Sequence, residues 1–328
     1  MRARELGIAL GELEPGSLNA ITDVTGVRVG HSTIVEDDDV RTGVTVVVPP
    51  LPAFAAPFRL SGNGEMTDLE WVRESGLLTT PIGITNTHSV GAVHEALVAA
   101  MVADQGGSRW ELPVVAETWD GVLNDVNGFH VRARHVREAL ETATDGPVPE
   151  GNVGGGTGMI CHGYKGGIGT SSRNAGEHVV GVLVQANHGH PRRLVIDGVA
   201  VGRELPAPPR KPAGSIIVVV ATDAPLLPHQ CERLACRAAL GIARTGGAGE
   251  NSSGDLLLAL STQTVGETVG MHPSERMDEL FYAAIEATEE AIVNALLAAE
   301  TMTGRGGVTV HALDADALVA LMRRLGRV

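Results

Sequence analysis

Two adjacent serines, Ser252 and Ser253, lie between a glycine-rich stretch and an apolar run, a position that suits an N-terminal nucleophile. Residues 244–251 are rich in glycine, whereas residues 256–260 are apolar and are predicted to form a buried strand. A serine hydroxyl is a weak nucleophile and needs a base. If the preceding peptide bond is cut, the freed α-amino group, with a pKa of about 8, is a base for its own hydroxyl near neutral pH. The pattern is therefore consistent with self-cleavage that creates the nucleophile of an amide hydrolase.

The same residues also fit a plain turn. The run Gly249-Glu-Asn-Ser-Ser-Gly-Asp255 consists almost entirely of residues that favour turns. Self-cleavage further requires a strained backbone, which glycines permit, and a stabilised oxyanion. Local composition favours the turn, and it leaves both serines open as the nucleophile.

The charge balance and composition exclude several classes of function. The chain has 328 residues and a net charge of −14, so a surface for nucleic acid or for an anionic membrane is not expected. Hydrophobic residues make up 43% and charged residues 20%, which is typical of a soluble globular protein. No apolar run approaches the roughly 18 residues of a membrane span, and no signal peptide is expected. The chain has three cysteines, Cys161, Cys231 and Cys236, which are too few for a disulfide framework and lack the spacing of a zinc site. They favour a reducing cytoplasm as the compartment.

Short apolar runs separated by glycines predict a layered α/β protein. Strands are predicted where β-branched residues dominate, at 44–48, 112–116, 179–184, 216–221 and 308–310. Helices are predicted where apolar residues recur at helical spacing, at 89–103, 228–241, 274–303 and 312–325. The prolines at 204–214 predict an exposed loop within one domain.

Ordered motifs along nearly the whole chain resemble those of a known family. They are Leu18–His31, Arg41–Thr45, Gly62–Met66, Thr85–Gly91, Val115–Gly121, Asn152–Met159, Lys165–Thr170, Ala221–Leu226 and Glu286–Ala291, together with the run around Ser253. In this order they are similar to the self-processing family of L-aminopeptidase/D-amidase-esterases and β-peptidyl aminopeptidases. The resemblance favours the processing site over the plain turn.

The resemblance implies an αββα sandwich like that of N-terminal nucleophile hydrolases, though with its own topology. It implies one domain spanning 1–328, cut into a large chain 1–252 and a small chain 253–328 that stay together as a homo-oligomer. In the family the cut precedes a serine that leads into Gly-Asp, which is Ser253 here, whereas the Asn251-Ser252 junction keeps Ser252 as the alternative.

The resemblance also implies supporting residues for the nucleophile. The family pairs it with a hydroxyl and a glutamate two residues apart on a helix, and Thr288 and Glu290 have this spacing, although the family's hydroxyl is often a serine. Glu290 would hold the ammonium form of the new N-terminus, with Glu289 as the rival for this role and a solvated acidic helix face as the alternative. The oxyanion donor is expected in the segment 222–225, where Asp223 stands in place of an asparagine that some members carry. An ionised aspartate does not donate, so backbone N–H groups are the alternative.

Substrate-binding residues are expected in two further motifs. Glu117 and Trp119 would hold the free amine of a substrate, although a core tryptophan beside surface acids is the alternative. Tyr164 is a further residue expected to line the pocket. Gly155 and Gly156 are expected to line the active-site wall, because their run lacks the ending of a phosphate-binding loop.

The sequence thus predicts an aminopeptidase that hydrolyses N-terminal residues from small peptides, amides or esters through a seryl ester. No metal or organic cofactor is expected. Two alternatives stay open. One is an acyltransferase that uses the same nucleophile, and the other is a non-catalytic, glycine-rich nucleotide-binding protein in which the two serines form only a turn.

Overall fold

Two β-sheets packed face to face form the centre of the computed structural model, which describes residues 1–105, 110–205 and 214–328. The strands are β1 Arg28–Glu36, β2 Val40–Val48, β3 Ala53–Gly62, β4 Leu77–Leu78, β5 Ile82–Asn86, β6 Val114–Thr118, β7 Ile160–Cys161, β8 Tyr164–Lys165, β9 Gly167–Ala175, β10 His178–Ala186, β11 Ile216–Thr222, β12 Gly254–Ser261, β13 Met302–Gly304 and β14 Val308–Val310. The helices are α1 Leu69–Ser75, α2 Val90–Gln105, α3 Ala133–Glu141, α4 Val201–Glu204, α5 Pro228–Arg244, α6 Met277–Ala298 and α7 Ala315–Arg324.

The larger sheet has the strand order β4-β3-β12-β11-β10-β9, and β12 lies in its interior. Strand β12 runs parallel to β11 and antiparallel to β3. All eight of its residues are buried, as expected for a continuous apolar run covered on both faces. The smaller sheet has the order β1-β2-β5-β6.

Apolar side chains fill three layers around the two sheets. One cluster lies between the sheets and joins Ile82, Ile84 and Val114 to Leu183 and Leu258 of the larger sheet. A second cluster packs α5 and α6 on the outer face of the larger sheet. A third packs α2 and α3 on the outer face of the smaller sheet. The order helix, sheet, sheet, helix confirms the predicted αββα sandwich.

Most predicted elements are confirmed within a few residues, and the largest difference concerns the long helix predicted at 274–303. A 3₁₀ turn, Ser274–Arg276, precedes the helix, which ends at Ala298 because Ala299 has extended backbone angles. The residues that follow form β13, which pairs with β14. Most of the predicted loop at 204–214 lies outside the described residues. No helix in the described part of the chain is long and apolar enough to cross a membrane.

Candidate active site

Ser253 is held in a tight turn directly before β12. Its N–H group donates a hydrogen bond of 2.8 Å to the carbonyl of Glu250, and its own carbonyl accepts one of 3.1 Å from the N–H of Asn63. The residue is buried, with 2% of its surface exposed, whereas the neighbouring Ser252 is exposed. The chain therefore presents the Ser253 hydroxyl inside the protein and the preceding peptide bond at its surface.

The carbonyl of Ser252 belongs to the peptide bond that self-cleavage at Ser253 would cut, and it has a side-chain donor. Asn63 follows the last residue of β3, and its Nδ2 donates a hydrogen bond of 2.9 Å to that carbonyl oxygen. A neutral amide donor at this position would stabilise negative charge on the oxygen during attack. Asn63 lies in the sequence motif at 62–66, but the sequence carried no signal that it faces Ser252, because the pairing of β3 with β12 brings them together.

The Ser253 hydroxyl donates to Oδ1 of Asp255. The two residues are two positions apart, so their side chains lie on one side of the extended chain. Asp255 is buried, and burial raises the pKa of its carboxyl group to about 6 despite the bond from Ser253. This carboxylate is a proton acceptor for the hydroxyl while the Ser253 nitrogen is still in a peptide bond. The sequence motif contained Asp255, but sequence reasoning gave it no role.

Gly254 allows two backbones to approach closely at the site. A Cβ atom at this position would lie 2.6 Å from the carbonyl oxygen of Asn63 and 2.6 Å from the Cα of Gly64, so a larger residue requires both to move. Its N–H donates a hydrogen bond of 3.0 Å to Oγ of Ser215. The close approach fixes the turn at Asn63 against the start of β12.

Glu117 lies behind the Asn63 turn, on strand β6. Its Oε1 accepts a hydrogen bond of 2.9 Å from the N–H of Glu65, and its Oε2 accepts one from the hydroxyl of Thr87. Oε1 also lies 3.1 Å from where a Cβ of Gly64 would stand. Burial raises the pKa of its carboxyl group, although both hydrogen bonds lower it. The structure thus places a buried carboxylate beside the turn that contacts Ser253.

Trp119 lies two residues beyond Glu117, and 40% of its surface is exposed. The alternative, that this tryptophan belongs to the core, is therefore wrong. Its carbonyl accepts a hydrogen bond of 2.9 Å from Nδ2 of Asn187. The N–H of Asn187 bonds to the carbonyl of Ser215, the residue that caps Gly254. Asn187 therefore links the Trp119 segment to the start of β12, a connection that sequence reasoning missed.

A cavity of about 470 Å³ opens beside the Asn63 turn. Residues from β3, α1 and β12 line it, among them Gly62, Gly64, Asp68, Trp71 and Leu256. Its size lies within the range of small-molecule sites. A larger cavity of about 740 Å³ is lined by His190, three arginines and Gly246. We place the substrate site at the smaller cavity, because its walls include the glycines on both sides of Asn63.

Similarity to known proteins covers nearly the whole chain. The model of the family described as Peptidase family S58 matches residues 19–310. The β-peptidyl aminopeptidase BapA of Sphingosinicella microcystinivorans is 44% identical over 99% of this chain and 93% of its own length. The β-peptidyl aminopeptidase BapA of Sphingosinicella xenopeptidilytica is 44% identical over 98% and 91%. The chain belongs to peptidase family S58.

Solved structures extend the similarity to the fold. The β-aminopeptidase of a Burkholderia species is 51% identical, with a TM-score of 0.94 and 99% of both chains covered. The L-aminopeptidase D-Ala-esterase/amidase of Ochrobactrum anthropi is 44% identical, with a TM-score of 0.93 and 99% of both chains covered, and is described as a prototype for the serine aminopeptidases and a new variant among the Ntn hydrolase fold. This S58 peptidase is accordingly a hydrolase with the aminopeptidase function of N-terminal nucleophile enzymes.

Glu290 does not lie at Ser253 in this S58 peptidase. It is fully buried on α6, where it forms an ion pair of 2.6 Å with Arg173 and one of 3.1 Å with Arg4, and it accepts a hydrogen bond from Asn19. Arg173 lies on the edge strand β9, near the end of the sheet opposite to Ser253. The geometry therefore does not support the predicted role beside the nucleophile. The carboxylate balances the charge of the buried Arg173 and pairs with the partly buried Arg4.

The contacts of Thr288 are with its own helix and with α5. Its hydroxyl donates a hydrogen bond of 2.7 Å to the carbonyl of Ala284 in the preceding turn of α6. Its Cβ lies 2.6 Å from where a Cβ of Gly241 would stand, so the side chain packs against α5. A spacing of two residues on a helix separates side chains by about 200°, which explains why Thr288 and Glu290 face different neighbours.

Replacing Glu290 by glutamine tests this structural role. We expect the variant to lose about 3 kcal/mol of its free energy of unfolding, because Arg173 would stay buried without its main counter-ion. Chemical denaturation followed by circular dichroism measures the loss. The folded fraction should still self-cleave at the native rate, and a variant that folds as stably as the native chain but does not cleave would contradict the structural role.

The segment 222–225 does not reach Ser253 either. Strand β11 runs parallel to β12, so its first residue, Ile216, lies beside Asp255, whereas Asp223 follows its last residue. Seven residues of extended chain separate the two ends by roughly 20 Å. The Asp223 carboxylate accepts a hydrogen bond of 2.8 Å from the N–H of Val179. The geometry thus offers Asn63, in place of this segment, as the donor beside the nucleophile.

Tyr164 and the glycine run have packing roles in the structure. The hydroxyl of the buried Tyr164 donates to the carbonyl of Leu205. Gly154–Gly156 form a buried 3₁₀ turn in contact with both sheets. A Cβ at Gly155 would lie 2.2 Å from Oε1 of Gln185, and one at Gly156 would lie 2.4 Å from the backbone of Ile168. Neither glycine forms a wall of the 470 Å³ cavity, and the close packing leaves no room for a phosphate.

Proposed function

We propose that this S58 peptidase cuts its own chain between Ser252 and Ser253, and that Ser253 then removes N-terminal residues from small peptides, amides or esters. The observation that carries the proposal is the contact of the Asn63 carboxamide with the Ser252 carbonyl, directly before the buried Ser253 hydroxyl. The same contact favours Ser253 over Ser252 as the nucleophile. The names of the relatives support β-amino-acid peptides among the substrates.

Self-cleavage begins when the Ser253 hydroxyl attacks the Ser252 carbonyl carbon. The proton passes to Asp255, which accepts that hydroxyl's hydrogen bond, and the oxyanion is stabilised by Asn63. The C–N bond then breaks, the Ser253 nitrogen takes a proton, and an ester joins Ser252 to the Ser253 oxygen. Water hydrolyses this ester and leaves a carboxylate on Ser252 and a free α-amine on Ser253.

The mature nucleophile uses its own amine as the base. The neutral α-amine of Ser253 takes the hydroxyl proton as the oxygen attacks the substrate carbonyl, and it returns that proton to the leaving amine. A seryl ester of the substrate's N-terminal residue remains, and water releases it by the same steps. Departure of residue 252 frees the Asn63 amide to donate to the substrate's oxyanion.

The two pieces are expected to stay together after cleavage. Strand β12, which begins the small chain, lies between β3 and β11 of the large chain, and α6 packs on β9 and β10. Size-exclusion chromatography under native conditions should therefore elute residues 1–252 and 253–328 in one peak, and they should separate only in denaturant. Separate elution without denaturant would contradict this expectation.

We further propose that the protein is a homo-oligomer, on the family resemblance, and that it is cytoplasmic, on its three free cysteines.

We propose that Glu117 binds the free ammonium group of the substrate. Replacement by glutamine removes the charge but keeps the shape, so KM for an aminoacyl p-nitroanilide should rise about 10- to 100-fold, as expected for loss of a charge-assisted hydrogen bond. Steady-state kinetics measure the change. The matched substrate without the amine should show the same KM for the native enzyme and for Glu117→Gln, and an equal rise for both substrates would contradict the assignment.

The same carboxylate predicts a pH dependence. Burial raises the pKa of Glu117, so the group becomes neutral at a higher pH than an ordinary glutamate. Attraction to an ammonium group is complete above this pKa and is lost as pH falls through it. KM should therefore rise on acidification in the native enzyme and stay flat over the same range in Glu117→Gln.

A further inference from the structure

Three buried side chains that the proposed reaction does not use lie together beneath the loop that precedes Ser253. Cys161 is the last residue of β7, His162 follows it in a left-handed conformation with φ of 48°, and His188 lies two residues after β10. The thiol sulfur and one ring nitrogen of each histidine all lie within 4.8 Å of one another. A Cβ at Gly247, in the loop above, would lie about 3 Å from the His188 ring.

The hydrogen bonds of His162 leave one nitrogen ready to bind a ligand. Its Nδ1 lies 3.1 Å from the carbonyl of His190, which can only accept, so Nδ1 carries the proton. The lone pair is then on Nε2, which is buried and has no hydrogen-bond partner among the described residues. A backbone carbonyl that fixes one ring nitrogen while the other is free is the usual arrangement of a metal-binding histidine.

His188 and Cys161 complete the donor set. The Cys161 sulfur lies 3.8 Å from Nδ1 of His188, and Nε2 of His188 is buried with no partner in the described part of the chain. Burial lowers the pKa of His162 to about 4 and that of His188 well below its usual range, so both rings are neutral ligands at neutral pH. Burial raises the pKa of the Cys161 thiol to about 12, which argues against a free nucleophile here, whereas a metal ion displaces the thiol proton.

We propose that Cys161, His162 and His188 bind one zinc ion. One sulfur and two imidazole nitrogens are donors that Zn²⁺ prefers, whereas Mg²⁺ and Ca²⁺ prefer oxygen. Ligand–metal distances of about 2.0–2.3 Å place the donors of a tetrahedral site about 3.3–3.8 Å apart, so the present spacing requires little movement. The site is separate from the serine chemistry.

The fourth ligand we assign is Glu250, whose carboxylate lies outside the group of donors within 4.8 Å and must move to reach the ion. Its Oε1 is buried without a hydrogen-bond partner among the described residues, and its charge acts on the His162 ring. The carbonyl of Glu250 also accepts the N–H of Ser253. Zinc held by Glu250 would therefore restrain the turn that holds Ser253. This second step rests on the proposed function, whereas the metal site itself does not.

Titration of the purified native chain with Co²⁺ tests the site directly. A cobalt ion bound by a thiolate in tetrahedral geometry shows a sulfur-to-metal charge-transfer band and strong visible absorption. We expect both to saturate at one equivalent and to disappear when Zn²⁺ is added. A native chain that shows no charge-transfer band at one equivalent overturns the proposal without any variant.

Variants then assign the ligands. Cys161→Ser should lose the charge-transfer band, and His188→Gln should bind Zn²⁺ at least about 100-fold more weakly. The matched control is His178→Gln, because His178 and His272 form a similar pair, with ring centroids 5.3 Å apart, at the opposite end of β10. The control should bind like the native chain. Unchanged affinity and spectrum in a folded Cys161→Ser chain overturns the site.

Self-cleavage in the presence of metal separates this inference from the proposed function. Precursor made by cell-free synthesis should release the small chain more slowly with Zn²⁺ than with a chelator, and Cys161→Ser should release it at one rate in both. Equal rates in the native chain overturn the restraint by Glu250. A chain that binds Co²⁺ as described but never splits supports the metal site and overturns the proposed function.

Discussion

Replacing Ser253 by alanine should leave the chain intact at 34.0 kDa on a denaturing gel, whereas the native chain should split into residues 1–252 and 253–328. The variant lacks both the hydroxyl that attacks the Ser252 carbonyl and the amine that would act as base. Aminopeptidase activity should fall by at least about 10⁴-fold, the range seen when a catalytic nucleophile is removed. N-terminal sequencing of the small native chain should begin Ser-Gly-Asp-Leu.

Ser252→Ala is the matched control for this experiment. Ser252 is exposed, and its contribution at the site is the backbone carbonyl that Asn63 contacts, which alanine retains. We expect this variant to split at the same bond and at a rate within a few-fold of the native chain. An intact Ser252→Ala chain together with a split Ser253→Ala chain would reverse the assignment and make Ser252 the nucleophile.

The fold could be predicted from the sequence because its strands and helices are strongly patterned. Strand β11 has seven buried residues, six of them at predicted positions, and its apolar run is interrupted by no polar residue before Thr222. The end of α6 could not be placed from the sequence, because apolar residues continue to Ala299 and Met302, whereas the backbone is extended from Ala299 and Met302 pairs in β13 with β14. That pairing is a tertiary contact that helical periodicity does not record.

Around the nucleophile, too, some residues can be predicted from the sequence and others cannot. The ordered motifs along the whole chain predict Ser253 as the nucleophile, although its local sequence alone favours a turn, and the carboxylate beside a tryptophan makes Glu117 a candidate. Asn63 was missed because it is 190 positions from Ser253 in sequence and is brought there by the antiparallel register of β3 with β12. The resemblance predicts Glu290 beside the nucleophile because its helical spacing matches that of the family, but spacing does not determine which partner a helix face contacts. Here Glu290 contacts the buried Arg173.

The second large expected effect concerns Asn63, whose side chain contacts the Ser252 oxygen on which negative charge would develop. The amide already donates to the uncharged carbonyl at 2.9 Å, and a hydrogen bond to an oxyanion is stronger than one to a neutral oxygen. The hydrogen bond therefore stabilises the oxyanion of the transition state more than the neutral carbonyl of the ground state, and this extra stabilisation lowers the free-energy barrier of the attack. We therefore expect removal of the Asn63 side chain to slow self-cleavage and to cost little stability, since Asn63 is exposed.

Asn63→Ala should slow self-cleavage by about 100- to 1,000-fold, the range found when one oxyanion donor is removed. Release of the small chain from precursor made by cell-free synthesis, followed over time on denaturing gels, measures the rate. The backbone N–H of residue 63, which bonds to the Ser253 carbonyl, is retained, so the turn itself should keep its shape.

The Asn63→Asp variant tests whether the side chain acts through its hydrogen bond or only by filling space. The aspartate side chain has nearly the same volume, but when ionised it offers no donor and adds a negative charge beside the developing oxyanion. Its self-cleavage should be at least as slow as that of Asn63→Ala at neutral pH. Acid slows both variants because Asp255 is protonated, but the rate of Asn63→Asp relative to Asn63→Ala should rise where the aspartic acid is neutral and regains a donor. Cleavage of both variants at the native rate would show that backbone groups alone stabilise the oxyanion.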